Sequence, residues 1–319
     1  MATHTTANGP PLPADWEGYW TDYTLLKGRS LSPRTLAAYR DSFIYLGRFL
    51  APEVPDLADL TRRQVAAYLD FTLASTSATT TGLRYRGLAA VINFLADPGE
   101  DDEPFIPKNP MKGLRPPKVE EQPVAVLTVD DGKALLKACK GPAFEARRDE
   151  ALIRFLFDTG VRRGELVSMR TSPDHLNLHE GRALVSGKTG ARWVAFGPAT
   201  GAALYRYIRV RRSRADGSDA LWIGHKGPLA GNGIYQVLAR RFKDAGVEVG
   251  HRTHVFRHTF SHMWQSSGGG VAELVALNGW KGPAMAYRYG KSAAAERAHE
   301  AHRKLSPGEL LDAKVRKRR

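Results

Sequence analysis

Two histidines and an arginine lie close together in the stretch THVFRHTF, residues 253–260. His254, Arg257 and His258 are spaced at i, i+3 and i+4, so on a helix they lie on one face. Such a face can bind a metal ion, pack into a core, or bind a phosphate through the arginine. The spacing alone leaves all three roles open.

A metal site on this face has little further support in the sequence. His262 continues the spacing of four residues, and His251 lies just upstream. The chain has a single cysteine, Cys139, and no HExxH pattern. Packing in the core explains His258 and His262 without a metal. We therefore expect no metal ion and no other cofactor.

Five further side chains in the second half of the chain can act on a phosphate or orient a group that does: Arg162, Glu165, Lys188, Trp280 and Tyr289. Arg162 follows Gly160 at the start of a predicted helix, and Lys188 lies at the tip of a predicted hairpin. Taken alone, each is typical of an ordinary role, because such residues commonly cap a helix, face solvent or pack. Their order along the chain carries more information than any one of them.

That order resembles the tyrosine recombinase family, the phage-integrase type of site-specific DNA recombinase. The family pattern is an arginine in TGxRxxEL, a lysine in a β-turn, HxxRH, a histidine or tryptophan after glycine, and a tyrosine nine residues later. This chain contains TGVRRGEL, SGKTGARWV, HVFRH and GWKGPAMAYRY in the same order. The resemblance implies six catalytic residues, namely Arg162, Lys188, His254, Arg257, Trp280 and Tyr289. It also implies two supporting residues, Glu165 and His258.

The chain departs from the family pattern near the expected nucleophile. Trp280 stands where most members have histidine, although its indole N–H can still donate to a phosphate oxygen. The usual leucine–glycine before it reads Asn278–Gly279. Tyr287 is a second candidate nucleophile, but the spacing from Trp280 favours Tyr289.

The matched side chains suit attack on a DNA phosphodiester, which builds negative charge on a five-coordinate phosphorus. Arg162 and Arg257 can bind the non-bridging oxygens as two guanidinium forks. Tyr289 must lose a proton to attack, and His254 can accept that proton. Lys188 can supply a proton to the departing 5′ oxygen.

The resemblance also implies the reaction and the assembly. A 3′-phosphotyrosyl bond keeps the energy of the broken diester, so a 5′ hydroxyl can reverse the step without metal or ATP. Four protomers are expected to bring two DNA duplexes together, and a monomer or weak dimer is expected off DNA. Leu305, Leu310 and Leu311 are expected to dock on a neighbouring protomer; the alternative is a C-terminal helix folded back on its own domain.

Two other functions stay open at this point. A type IB topoisomerase uses nearly the same residues but swivels one duplex instead of exchanging two. A DNA-binding relative that has lost catalysis would form no phosphotyrosyl adduct, although every catalytic residue type is present here. The separate helical domain and the leucine-bearing tail favour the recombinase.

The amino-acid composition also favours a nucleic-acid partner. The 319 residues include 47 lysines and arginines against 33 acids, a formal charge of +14. Such an excess favours a polyanion, with nucleic acid first and an acidic membrane second. No apolar run approaches roughly eighteen residues and no signal peptide is evident, so we expect no membrane span. The single cysteine excludes a disulfide framework and fits a reduced cytosol, so we expect a cytoplasmic protein.

The elements that position these residues are expected to be mainly helical. Periodicity predicts an all-α domain followed by a mostly α domain with a small antiparallel sheet. The resemblance implies that these are a core-binding domain and a catalytic domain. The expected segments are a disordered arm (1–13), the core-binding domain (14–96), an extended proline-rich linker (97–123), the catalytic domain (124–305) and a tail (306–319). The arm is too short for the arm-binding domain of larger integrases, so the two-domain form is expected.

Local signals mark where some helices begin. Thr61 with Gln64, and Thr128 with Asp131, have the spacing of reciprocal N-terminal caps. The third and fourth predicted helices also carry four arginines, Arg62, Arg63, Arg84 and Arg86. Together they form a candidate phosphate-contacting face, although a solvated surface explains any one of them.

Overall fold

The computed structural model describes residues 14–50, 53–54, 56–99, 102–119, 125–187, 190–214, 217–249, 253–290 and 294–308. The chain divides into two units, Met1–Glu121 and Gln122–Arg319. None of the helices among the described residues is long and apolar enough to cross a membrane. The predicted arm, Lys188, Leu310 and Leu311 lie outside the described residues.

The first unit is built from helices that pack around an aromatic centre. They are α1 Ala14–Lys27, α2 Pro33–Leu50, α3 Arg62–Ser75 and α4 Ala78–Ala96, with short 3-10 turns at Gly28–Ser30 and Leu57–Asp59. Helix α2 packs along α4. Trp16 and Phe43, with ring centroids 5.0 Å apart, are fully buried beside Leu46 and Leu88. The prediction of an all-α first domain is confirmed.

The predicted helix caps are present in both units. Thr61 Oγ1 accepts a hydrogen bond from the Gln64 amide at 3.4 Å, and Gln64 Oε1 accepts from the Thr61 amide at 2.9 Å. Thr128 and Asp131 form the same reciprocal pair at the start of α5, Val129–Lys137. These bonds satisfy amides that the first turn of a helix leaves without partners. Both helices therefore begin where the sequence predicts.

The proline-rich segment differs from the extended linker predicted over 97–123. The Phe105 amide donates to the Leu95 carbonyl at 2.8 Å, and Ile106 and Met111 are buried in the core of the first unit. The prolines exclude a helix here, but the apolar side chains between them are stabilised by leaving water. Part of the predicted linker therefore belongs to the first unit, and that expectation is corrected.

The second unit adds a small sheet to a mainly helical body. Its further helices are α6 Phe144–Thr159, α7 Arg163–Ser168, α8 Pro198–Arg211, α9 Gly231–Asp244, α10 His254–Ser266, α11 Val271–Asn278, α12 Ala284–Gly290 and α13 Ala294–Leu305. Its strands are β1 Leu176–Asn177, β2 Arg182–Gly187, β3 Gly190–Ala195, β4 Ile223–Gly224 and β5 Gly227–Pro228.

The strands form two antiparallel arrangements, β1–β2–β3 and the separate hairpin β4–β5. The predicted fold class, mainly α with a small antiparallel sheet, is confirmed. One detail differs from the sequence prediction: the β4–β5 hairpin was not expected.

Helix α6 lies at the centre of the second unit. Leu152, Phe155 and Leu156 are fully buried on it, and α8 packs along its length. The helix ends at Gly160, whose φ of 57° is a conformation that residues with side chains rarely adopt. A Cβ at this position would come within 2.8 Å of Phe260 Cδ1 on α10. Gly160 therefore allows the sharp turn from α6 into α7.

Candidate active site

The turn between α6 and α7 places Arg162 next to Glu165. Arg162 is the N-cap residue of α7, and its amide donates to Glu165 Oε2 at 2.7 Å. Its side chain donates from Nη1 to Glu165 Oε1 at 2.9 Å. The Glu165 side chain is 1% exposed, whereas that of Arg162 is 33% exposed. The buried carboxylate thus holds an arginine whose guanidinium still reaches the surface.

A second arginine, Arg192 on β3, binds the same carboxylate and was not predicted as a site residue. Its Nη1 and Nη2 donate to the two Glu165 oxygens at 2.6 and 3.1 Å, and its Nε donates to the Leu277 carbonyl at 3.0 Å. Burial favours a higher pKa for Glu165, but the hydrogen bonds from Arg192 and Arg162 outweigh it, so this pKa is lowered. The sequence shows only that Arg192 follows the predicted hairpin tip, which does not reveal its partners.

Arg257 lies on α10 inside the protein and is 1% exposed. Its Nη1 donates to the Gly160 carbonyl at 3.0 Å, and its Nη2 donates to the Asn278 carbonyl at 2.6 Å. These neutral acceptors fix the guanidinium without cancelling its charge. Burial, and then the charge of Arg162, lower the pKa of Arg257 to about 10, while Tyr289 acts in the opposite direction. Arg257 therefore stays protonated at neutral pH.

Trp280 and Tyr289 lie against each other beside Arg257. Their ring centroids are 5.0 Å apart, and the Arg257 Cζ lies 5.1 Å from the Trp280 ring. The Tyr289 ring also stacks on His258, with centroids 4.1 Å apart. Trp280 follows Gly279, whose φ of 59° ends α11. The buried Trp280 Nε1 has no hydrogen-bond partner among the described residues.

The helix that carries Tyr289 is tied to α10 by a glutamine that was not predicted as a site residue. Gln265 Nε2 donates to the Ala286 carbonyl at 3.2 Å and to the Ser261 carbonyl at 3.3 Å. Tyr287 on the same helix is 63% exposed, whereas Tyr289 is half-buried. The two tyrosines therefore face different surroundings, and Tyr289 is the one that lies next to Arg257.

The structure brings most of the predicted residues into one cluster, namely Arg162, Glu165, Arg257, His258, Trp280 and Tyr289. His254 is the first residue of α10, one turn before Arg257, and is exposed. Lys188 lies outside the described residues, between the end of β2 and the start of β3.

The four arginines predicted to contact DNA lie in the first unit, outside this cluster. In the first unit Arg62, Arg63 and Arg86 are exposed, and Arg84 lies half-buried with its Cζ 3.8 Å from the centre of the Tyr45 ring. In the part of the chain that the structure describes, no three histidine, cysteine or carboxylate side chains lie close enough together to hold a metal ion.

Both units of the chain match known protein families. The family described as "Phage integrase family" matches residues 125–296, more than half of the chain. The chain belongs to the phage integrase family. The domain described as "Phage integrase, N-terminal SAM-like domain" matches residues 19–97. The two matches confirm the resemblance seen in the sequence and fit its two-domain form.

Named relatives and solved structures agree with this membership. Tyrosine recombinase XerD of Listeria monocytogenes is 26% identical over 80% of this chain and 86% of its own length. Tyrosine recombinase XerC of Pseudomonas syringae is 30% identical over 75% of this chain and 79% of its own length. A lambda integrase tetramer bound to a Holliday junction has the same fold, with a TM-score of 0.69, 19% identity, and coverage of 90% of this chain and 80% of that one. The predicted enzyme class, a tyrosine-type recombinase, is confirmed.

Proposed function

We propose that this chain cleaves and rejoins DNA at specific sites through a 3′-phosphotyrosyl intermediate, with Tyr289 as the nucleophile. The observation that carries the proposal is the position of the Tyr289 ring against Trp280 and His258, next to the buried Arg257. The Tyr289 phenol acts electrostatically on Arg257, so it lies close to a guanidinium that would bind the phosphate under attack.

Arg162 and Arg257 are the proposed phosphate ligands. Arg257 is held by carbonyl oxygens and keeps its full charge, and Arg162 reaches the surface. Both can donate to the non-bridging oxygens and stabilise the charge of the five-coordinate transition state. The buried Trp280 Nε1, which lacks a partner among the described residues, is a third proposed donor. Loss of one such donor typically raises the barrier by roughly 2.7–4 kcal/mol.

Two proton transfers complete the proposed step. The Tyr289 oxygen forms a bond to phosphorus while the bond from phosphorus to the 5′ oxygen breaks. His254 accepts the phenol proton, and Lys188 supplies a proton to the 5′ oxygen. One diester replaces another, so attack by a 5′ hydroxyl from a partner duplex reverses the step and exchanges strands without ATP.

We assign DNA binding around the cleaved site to the helical region 14–96, through Arg62, Arg63, Arg84 and Arg86, and catalysis to residues 124–305. We further propose that four protomers hold two duplexes, since the lambda integrase of the same fold is a tetramer bound to a Holliday junction. Contacts between protomers are proposed to come from α13 and the leucines beyond it.

The test replaces Tyr289 with phenylalanine and uses Tyr287→Phe as the matched control. Tyr287 lies on the same helix but is 63% exposed. DNA that becomes covalently bound to the protein in cells is sequenced to define the cleaved site. Purified variants are then incubated with a nicked suicide substrate of that sequence. Wild type and Tyr287→Phe are expected to form a detergent-stable adduct, and Tyr289→Phe is expected to form none.

The other outcomes point to different functions. An adduct on Tyr289→Phe that is absent on Tyr287→Phe would make Tyr287 the nucleophile. No adduct with wild type would indicate a DNA-binding relative without catalysis. Supercoil relaxation without any joining of two sites would indicate a type IB topoisomerase.

A further inference from the structure

The Glu165 carboxylate is shared unequally by two arginines. Arg192 binds both carboxylate oxygens, from Nη1 at 2.6 Å and from Nη2 at 3.1 Å. Among the hydrogen bonds of the described residues, the Arg162 side chain uses only Nη1, at 2.9 Å from Oε1. A two-point fork is the stronger of the two arrangements. Arg192 is therefore the main partner of Glu165, and most of the Arg162 donors are left for another acceptor.

The charges also favour Arg192 as the main partner of Glu165. One buried carboxylate can offset one of the two guanidinium charges, and the surplus charge belongs where solvent or a ligand can reach it. The Arg192 side chain is 14% exposed and that of Arg162 is 33% exposed. Without Arg192, the buried Glu165 carboxylate would lose two hydrogen bonds. The Arg162 side chain, which already donates to Glu165 from Nη1, could then turn onto it.

Arg192 also contacts the segment that precedes Trp280. Its Nε donates to the Leu277 carbonyl at 3.0 Å, near the end of α11. A Cβ on Gly279 would lie only 3.0 Å from the Arg192 Cδ, so the turn packs directly on this side chain. The Arg192 side chain thus joins three segments of the site, namely β3, α7 and the C-terminal end of α11 with the turn that follows it.

We infer that Arg192 is a positioning residue that occupies Glu165, so that Arg162 stays available for the phosphate. This role rests on the proposed function. Removal of Arg192 is therefore expected to change the position of the Arg162 side chain as well as to reduce activity. The Arg162 side chain should be captured by Glu165 in such a variant, and neutralising Glu165 should release it.

The test is a double-mutant cycle of Arg192→Met and Glu165→Gln, with Arg182→Met on β2 of the same sheet as the control. Arg192→Met is expected to slow adduct formation by Tyr289 about 10²-fold, a loss that misplacing a site group by about 1 Å can cause. Adding Glu165→Gln is expected to restore at least about tenfold of that loss. Arg182→Met is expected to match wild type. If the double variant is no faster than Arg192→Met, Arg192 has no such role.

A second readout does not depend on activity. Phenylglyoxal modification of Arg162, followed by mass spectrometry, reports whether its guanidinium is available. The rate is expected to fall several-fold in Arg192→Met and to recover in the double variant; an unchanged rate would overturn the inference. Arg192→Lys, which keeps the charge but loses the fork, replaces Arg192→Met if that variant does not fold, and is expected to give an intermediate loss. If wild type forms no adduct, the proposed function fails, and the modification rates still decide the role of Arg192.

Discussion

At the scale of single residues, the three arginines of the site differ in the groups that hold them. Arg162 and Arg192 bind a carboxylate, whereas Arg257 is held by two main-chain carbonyls. A buried charge without a counter-charge is costly, which is why burial lowers the pKa of Arg257 to about 10. The site therefore keeps positive charge inside the protein, which the phosphate of the proposed reaction would offset.

Glu165→Gln is expected to change how stability depends on pH. The pKa of Glu165 is lowered in the folded protein from its ordinary value of 4.5. Its carboxylate therefore stabilises the fold fully above about pH 4.5, and this contribution is lost as pH falls through the lowered folded pKa. Urea unfolding of both proteins between roughly pH 6 and pH 3 measures the effect. The advantage of wild type should shrink towards low pH, and a constant difference would contradict this prediction.

At the scale of elements, α12 is positioned by close packing on α10. Gln265 of α10 donates to the Ala286 carbonyl at 3.2 Å. The last residue of α12 is Gly290, where a Cβ would come within 2.2 Å of Gln265 Oε1. No side chain fits there unless one of the two helices or Gln265 moves. The position of Tyr289, one residue before Gly290, depends on this close approach.

Gly290→Ala is therefore expected to slow adduct formation by Tyr289 at least about tenfold. Either Gln265 turns away and loses its hydrogen bond to the Ala286 carbonyl, or α12 moves, and a shift of the order of 1 Å misplaces the proposed nucleophile. Gly282→Ala is the matched control. Gly282 precedes the same helix, and a Cβ there meets no atom within 4 Å. Single-turnover cleavage of the nicked substrate measures both variants. Equal rates for the two variants would show that α12 is not constrained at Gly290.

At the scale of the whole molecule, the formal charge of +14 is the property that bears most directly on a DNA partner. Arg62, Arg63 and Arg86 of the first unit are exposed, and Arg84 packs on the Tyr45 ring. Arg40 lies in the same unit, but its charge is offset by Glu17 at 2.9 Å. Exposed arginines without such a local carboxylate are the ones expected to meet phosphates.

Arg63→Ala and Arg86→Ala are each expected to weaken DNA binding about equally for all sequences and to reduce the salt slope by about 1. Arg40→Ala is expected to leave the slope unchanged. Equilibrium binding to one duplex between roughly 50 and 200 mM salt gives the slopes. If the three variants have the same slope as wild type, the proposed face in the first unit does not contact phosphates.

The order and spacing of residues were sufficient to predict the fold class, several helix starts and the family. Caps such as Thr61 with Gln64 depend on neighbours three residues apart, so they can be seen in the sequence. The same holds for the hairpin of β2 and β3 and for the order of the motifs that carry Arg162, Arg257 and Tyr289.

Only the tertiary structure decided which side chains meet. Arg192 contacts Glu165 and Leu277, which lie 27 and 85 positions away in the chain. Gln265 contacts the main chain at Ala286, and Ile106 packs into the first unit although prolines surround it. Periodicity describes which face a residue occupies on its own element. It does not specify which residue of another element lies opposite, because that is set by how the elements pack.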